Sequence, residues 1–418
     1  MVAEGIVSLN QIRQAAHTLT GVADLTPLQY NASLSEQYQC QVLLKREDLQ
    51  IVRSYKIRGA FNKMSHLETE ILQRGVVCAS AGNHAQGFAF ACQKLDIRGK
   101  IYMPAVTPQQ KLAKVKKFGK EWVDIVLTGD TFDDAYHEAV TYAKKAGKAF
   151  IHPFDDPLVI AGQGTVGLEI IEQHPEPVDY LLVPVGGGGL IAGCGTVFRT
   201  LSPNTCILGV EPAGAPAMYE SLRQGKVITL PKIDNFVDGA AVKKVGEANL
   251  PLVQESVSRV LLVDEGKVCH TLLQLYNEEG LVVEPAGTLA IAALDAIREE
   301  IRGKTVVCIV SGSNNDITRM EEIRERALVY SGLKHYFIIR FPQRAGVLRQ
   351  FLNHVLGPND DITHFAYTKK NNKESGPALV GVQVRSKEDY ESLLKHLDKS
   401  GLPYQVLNDS QMLHELLV

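Results

Sequence analysis

The sequence predicts an α/β protein built on parallel sheets, followed by a small α+β domain, and three observations carry that reading. Short β-branched runs alternate with longer helical stretches from about residue 40 to residue 320. Several runs, LLVPV at 181–185 and VVCIV at 306–310 above all, are apolar throughout, as strands buried on both faces are. Beyond about residue 330 the order changes to β-α-β-β-α-β. Strand-helix alternation implies parallel sheets with right-handed crossovers. The second order is a split-βαβ unit that stands as its own small domain.

In chain order the expected strands of the larger part are 42–45, 76–79, 100–103, 123–127, 150–152, 180–185, 207–210, 260–263 and 306–310. Helical spacing marks 86–95, 132–146 and 268–279 between them. In the smaller part, 334–341 reads as a strand and 344–356 as a helix. Strands at 361–370 and 378–385 follow, joined through the turn-prone NNKESGP at 371–377. Ser386 then opens a helix over 386–399 with acids in its first turn, and 402–408 closes as a strand. These elements divide the chain into a domain of residues 1–330 and one of residues 331–418.

A chain of 418 residues with 45% hydrophobic and 22% charged residues is globular and long enough for two or three domains. Its 44 basic and 47 acidic residues leave a net charge of −3, so neither nucleic acid nor an anionic membrane is an expected partner. The seven cysteines are scattered, with no C-x-x-C pair, and most lie in apolar runs where a buried thiol is the simplest reading. No basic-then-apolar leader opens the sequence, and no apolar run approaches the ~20 residues of a membrane span. A reducing cytoplasm is the expected compartment. The twelve histidines show no H-E-x-x-H or similar spacing, and no metal is expected.

Ligands of open α/β sheets bind beyond the carboxyl ends of the strands. Three such ends carry unusual loops: SAGNHAQG at 80–87, GGGGL at 186–190 and SGSNND at 311–316. The glycines Gly186, Gly187, Gly188 and Gly189 expose successive N–H groups before a helix, which makes a nest for a phosphate; the plainer alternative is a close strand-helix crossing. No Walker lysine and no G-x-G-x-x-G spacing is present, which disfavours a nucleoside triphosphate or a dinucleotide. In the first loop, amides around Ser80, Ala81, Gly82, Asn83 and His84 could hold a carboxylate, and the Asn83 amide could donate to a ring oxygen; N-capping by Ser80 or Asn83 is the alternative. Ser311 carries the same ambiguity. A phosphate cradle, an amide loop, a hydroxyl and the isolated Lys56 of VRSYKIRGA together suggest one ligand, pyridoxal phosphate.

VRSYKIRGAF, SAGNHAQGFA, GGGGLIAG and SGSNND stand in the order found in the threonine dehydratase (threonine deaminase) family, and the chain resembles that family over nearly its whole length. The stretch from Arg340 to Phe365 resembles its ACT-like regulatory segment. The resemblance implies a two-lobed fold type II catalytic domain with an ACT-like domain behind it. By the same resemblance Lys56 is the Schiff-base lysine and general base, Asn83 meets the cofactor's ring oxygen, Gly186 to Gly189 and Leu190 hold its phosphate, and Ser311 faces the pyridine nitrogen. A serine hydroxyl is too weak an acid to keep that nitrogen protonated, which favours β-elimination over transamination. The resemblance also implies that the loop of Ser80, Ala81, Gly82, Asn83 and His84 would bind the substrate carboxylate. The implied reaction converts L-threonine to 2-oxobutanoate and ammonia, the first step of isoleucine biosynthesis. Feedback by isoleucine, with valine as a second candidate effector, would act through Arg344 and Gly346, and the assembly would be a homotetramer or dimer.

Departures are informative. Ile57 stands where cysteine synthase and threonine synthase carry aspartate, and Arg344-Ala345-Gly346 where the family often has Arg-Pro-Gly. Val-Glu-Pro-Ala-Gly occurs twice, at 210–214 and 283–287; a proline at the first helical position accounts for both. In the related serine racemase an acid at the position of Glu211 joins a cation site, whose further aspartate is Ala217 in this chain. A serine dehydratase or racemase, or a silent amino-acid-binding regulator that kept the fold, are the rival readings.

Overall fold

In a computed structural model the described residues, 7–369 and 373–408, form two compact units. The first comprises the described residues up to Glu265 together with Leu275–Asp316. The second comprises Gly266–Gln274 and the described residues from Ile317 onward.

Strands of the first unit are β1 (Leu28–Tyr30), β2 (Gln41–Arg46), β3 (Val76–Ala79), β4 (Gly99–Met103), β5 (Val123–Leu127), β6 (Ala149–Phe150), β7 (Tyr180–Pro184), β8 (Cys206–Pro212), β9 (Arg259–Val263) and β10 (Thr305–Val310). They make two sheets, and hence two lobes. One is six-stranded in the order β1-β2-β10-β7-β8-β9, with only β1 antiparallel. The other is four-stranded and parallel throughout, in the order β5-β4-β3-β6. The apolar runs singled out in the sequence are the central strands β7 and β10, buried along nearly their whole length by helices on both faces.

Three differences from the expected elements have local causes. Strand β1 is a three-residue edge, too short to show periodicity. Strand β6 ends at Phe150 rather than 152, because the His152 ring accepts N–H bonds from Phe154 (3.3 Å) and Asp155 (2.8 Å) and turns the chain. Strand β8 runs on through Pro212, so the first Glu-Pro ends a strand and its helix, Ala217–Gln224, starts later. The second copy behaves as expected, with Pro285 opening the helix Pro285–Ala292.

The second unit carries β11 (Lys334–Pro342), β12 (Asp361–Tyr367), β13 (Ser375–Gln383) and β14 (Tyr404–Val406) in one antiparallel sheet of order β12-β13-β11-β14. The helices Val347–His354 and Lys387–Ser400 pack Val347, Phe351, Leu393 and Leu397 against Phe337, Ile339, Phe341, Val380 and Val382. This is the split-βαβ order read from the sequence, and Ser386 caps its helix by accepting from the Asp389 N–H at 3.1 Å. Residues 370–372, within the expected strand end and turn, lie outside the described residues, as do 1–6 at the start and 409–418 at the end. The helix Met320–Tyr330 belongs to this unit through Glu325, which accepts from Lys334 and from the Tyr336 hydroxyl. Among the described residues no helix is long and apolar enough to cross a membrane.

Candidate active site

Lys56 is the first residue of the helix Lys56–Ser65, and that helix is fixed from several directions. Tyr55 N–H donates to the Ser311 carbonyl (3.2 Å), tying the entry of the helix to the loop after β10. Two residues on, the buried Arg58 guanidinium donates to Glu47 (2.8 and 2.9 Å) and to Glu169 (2.6 and 2.9 Å). Lys45, fully buried on β2, reaches the same Glu169. Buried ions persist only when paired and hydrogen-bonded, and here the pairing stops the helix from sliding. The Lys56 amine donates to the Pro153 carbonyl at 2.9 Å and lies 5.2 Å from the Tyr55 ring and 6.0 Å from the Phe154 ring. Burial brings this amine down to about 8, with the Glu284 carboxylate pulling the other way. Roughly a tenth of it is then neutral at pH 7, against well under a thousandth for an ordinary lysine.

The glycine loop follows β7 and opens the helix Gly189–Leu201, which has no side-chain cap. Gly188, at φ +95°, makes the turn that only glycine adopts freely. A Cβ on Gly187 would lie 2.3 Å from the Phe154 ring. The loop is therefore packed directly on the residue that follows Pro153, the partner of Lys56. Asn249 locks it from outside, donating to the Gly187 carbonyl (2.7 Å) and the Phe154 carbonyl (3.2 Å). The buried N–H groups of Gly187, Gly188, Gly189 and Leu190 find no partner among the described residues.

A second helix start faces the site. Gly82, not Ser80 or Asn83, is the N-cap of the helix Asn83–Lys94, with no side chain closing it. Ser80 instead accepts from the Gly82 N–H at 3.2 Å, and the first N–H groups of the helix stay available to an anion. The His84 ring is buried, and its Nε2 meets the Ile151 carbonyl at 2.9 Å. Burial first, then the Lys56 charge, drives it down to about 3, so the ring is neutral and Nε2 carries the proton. Its Nδ1 is buried without a partner among the described residues.

The third loop brings a residue that the sequence reading passed over. Asn83 Nδ2 donates to Glu284 Oε1 at 2.6 Å, and the Asn314 backbone N–H donates to Glu284 Oε2 at 3.1 Å. Asn314 Nδ2 also donates to Asn83 Oδ1 at 2.5 Å and to the Val52 carbonyl at 2.9 Å. The carboxylate lies against Gly312, where a Cβ would sit 2.4 Å from Oε1. Burial raises Glu284 to about 7, with Asp238 adding to the rise. Val-Glu-Pro-Ala-Gly had a sufficient local explanation in Pro285; the available hint was an acid at the N-cap that makes no cap bond. Ser311 is buried beside this group, its hydroxyl without a partner among the described residues.

Lys56, the loop of Ser80 to His84, the glycine turn and Ser311 thus converge in the first unit. Residues 19–312 match the family model of pyridoxal-phosphate dependent enzymes. The chain belongs to that family. Residues 325–417 match the model of the C-terminal regulatory domain of threonine dehydratase. Among curated relatives, the biosynthetic L-threonine dehydratase of Halalkalibacterium halodurans is 56% identical over 414 residues, covering 99% of this chain and 100% of that protein. That of Bacillus subtilis is 54% identical over 413 residues, covering 99% and 98%. Among solved structures, the processed form of threonine deaminase isoform 2 from Solanum lycopersicum is 40% identical at a TM-score of 0.72, covering 78% of this chain and 96% of that one. Maize serine racemase is 30% identical at a TM-score of 0.72, covering 78% and 99%.

The residues present fit the cofactor of this pyridoxal-phosphate family. Buried, unpartnered N–H groups at a helix start are what a phosphate needs, and a half-buried amine with a lowered pKa is what an aldehyde needs. Elsewhere, Glu211 is wholly buried, raised to about 8 by that burial, and accepts from the Met218 and Tyr219 N–H groups at 2.8 Å each. Among the described residues no group of three or more His, Cys, Asp or Glu is placed to hold a metal ion. Arg344 and Gly346 lie in the second unit; Arg344 is exposed and donates to Gln350 at 3.1 Å, and Gly346 at φ +84° starts the helix Val347–His354.

Proposed function

We propose that the chain is an L-threonine ammonia-lyase that converts threonine to 2-oxobutanoate and ammonia with pyridoxal phosphate. The observation that carries the reading is the continuity of segment 153–154: the Pro153 carbonyl holds the Lys56 amine, while Phe154 lies on Gly187 of the unpartnered N–H turn. Amine and anion cradle share one wall. Kinship over nearly the full length with two biosynthetic threonine dehydratases supports the substrate.

The cofactor, when bound, supplies an aldehyde that couples to amines and a ring that draws electron density from the substrate's α-carbon. The glycine turn and Leu190 would hold its phosphate, and Asn83 and Ser311 would face its ring oxygen and ring nitrogen. Lys56 takes the α-proton at Nζ, which burial has already made easy to deprotonate. The N–H groups at the start of the helix Asn83–Lys94 bind the substrate carboxylate, with Ser80, Ala81 and Gly82 lining the approach. Phe154 and Tyr55 shield the amine from bulk water. The β-hydroxyl leaves with a proton as water, and hydrolysis of the released enamine consumes one water and gives 2-oxobutanoate and ammonia.

Isoleucine is the effector in this proposal, acting on residues 331–418, with residues 1–330 as the catalytic part. Lys56→Ala should abolish the visible absorbance of bound cofactor and 2-oxobutanoate formation together. A variant that kept full turnover would remove Lys56 from the reaction. Initial rates with L-threonine and L-serine then decide the substrate, and a strong preference for serine would replace this reading with a serine dehydratase.

A further inference from the structure

We infer that Glu284 is a positioning residue for the cofactor's ring oxygen, acting through the side-chain amide of Asn83. The inference rests on the cofactor reading above and adds to it a residue outside every loop that reading used. An asparagine amide can present either its oxygen or its nitrogen to a ligand, and the two ends differ little in shape. Only the nitrogen end can donate to an acidic ring hydroxyl that has lost its proton. Something in the protein must therefore choose the orientation.

Here both ends are chosen. Glu284 Oε1 accepts from Asn83 Nδ2 at 2.6 Å, which fixes the amino end, and Asn314 Nδ2 donates to Asn83 Oδ1 at 2.5 Å, which fixes the oxygen end. Asn314 is itself oriented, because Lys114 Nζ donates to its Oδ1 at 3.3 Å while its Nδ2 also donates to Val52. One N–H of Asn83 is thus used by Glu284. The other has no partner among the described residues and is the donor left for the ring oxygen. The carboxylate is immobile: its Oε2 accepts from the Asn314 backbone N–H, its own N–H donates to the Gly312 carbonyl at 3.2 Å, and Gly312 leaves it room that any side chain would take. With Glu284 ionised, a rotated amide would set its oxygen against the carboxylate and its nitrogen against the Asn314 amino group. Both contacts would be repulsive, so the donor stays aimed.

The test uses full-length protein loaded with pyridoxal phosphate, in wild type, Glu284→Gln, Glu284→Leu, Asn83→Ala and the Glu284→Gln/Asn83→Ala double variant. Leucine fills the space without an acceptor; glutamine keeps one acceptor but turns an amino group toward the Asn314 N–H. Cofactor dissociation constants, the position and pH dependence of the bound-cofactor absorbance band, and apoprotein melting temperatures are measured. The expected result is a shifted band and about tenfold weaker cofactor binding in Glu284→Leu, a smaller change in Glu284→Gln, and no further change from Glu284→Gln once Asn83 is gone. Wild-type band and affinity in both single Glu284 variants would overturn the inference. So would an equal loss from Glu284→Gln with and without Asn83, which would mark Glu284 as merely structural. If Glu284→Leu fails to fold, the glutamine pair alone decides. A wild type that binds no cofactor would overturn the cofactor reading and this inference with it, whereas a loaded wild type with indifferent variants overturns the inference alone.

Discussion

An amine that has lost its solvent disfavours the folded state until it sheds its proton. Lys56 goes down to about 8 in the folded chain from 10.5, so between those values the unfolded chain binds the extra proton. Stability from this group therefore rises with pH across that window, and the whole penalty, about 3 kcal/mol, is present below about 8. Apoprotein carrying Lys56→Met should accordingly melt above wild type at pH 7, and the gap should close as the pH approaches 10.5. Melting curves that stay parallel at every pH would show that the amine is not desolvated as the geometry requires. The same shift has a kinetic face, since only the neutral amine attacks an aldehyde. Capture of pyridoxal phosphate by the apoprotein should speed up about tenfold per pH unit below about 8 and level off above it, as stopped-flow absorbance would record.

At the level of elements, the site is built on three helix starts, two of them directly after strands, and the anion-binding chemistry of those two comes from N–H groups that no side chain caps among the described residues. The tightest of these seats is Gly187 against Phe154. Gly187→Ala would place a methyl carbon 2.3 Å from that ring, displacing Phe154 and with it the Pro153 carbonyl that holds Lys56. Cofactor affinity, read by fluorescence titration, should fall about tenfold or more, and the overpacking should also cost the apoprotein about 1–3 kcal/mol, read as a lower melting temperature. Unchanged affinity would mean that the glycine turn does not hold the phosphate. What made these starts legible in the sequence is that each is contiguous: four glycines, or a Ser-Ala-Gly-Asn-His run, declare a strand-to-helix turn without help from elsewhere. Glu284 was not legible, because its partners Asn83 and Asn314 stand 201 and 30 positions away and its own Glu-Pro pair already makes sense as a helix start. Strands β1 and β6 were missed or misjudged for the opposite reason, being only three and two residues long, and β6 is ended by bonds to the His152 ring rather than by periodicity. The repeated Val-Glu-Pro-Ala-Gly shows the limit of motif reading: identical pentapeptides became a strand end at Pro212 and a helix start at Pro285.

For the molecule as a whole the question is how a second unit could govern the first, and thermodynamics constrains the answer before any geometry does. If isoleucine bound to the regulatory domain weakens threonine binding by some factor, a threonine analogue must weaken isoleucine binding by the same factor. Such couplings are typically about 5- to 150-fold. Calorimetric titration of isoleucine into loaded, full-length protein, with and without an unreactive threonine analogue, should therefore give two dissociation constants whose ratio equals the shift in the analogue's own dissociation constant between isoleucine-free and isoleucine-saturated protein. Arg344 offers a way to locate the site. Its guanidinium is exposed and, among the described residues, donates to Gln350, beside the Gly346 turn that opens the helix Val347–His354, so replacing it disturbs little of the core packed by Phe337, Phe341 and Phe351. Arg344→Ala should raise the isoleucine dissociation constant about tenfold, the worth of one charge-assisted hydrogen bond to a carboxylate, while leaving threonine turnover without isoleucine as it was. An unchanged constant would move the effector away from this turn. Isoleucine binding that ignores the analogue altogether would leave the second unit as an assembly module rather than a sensor.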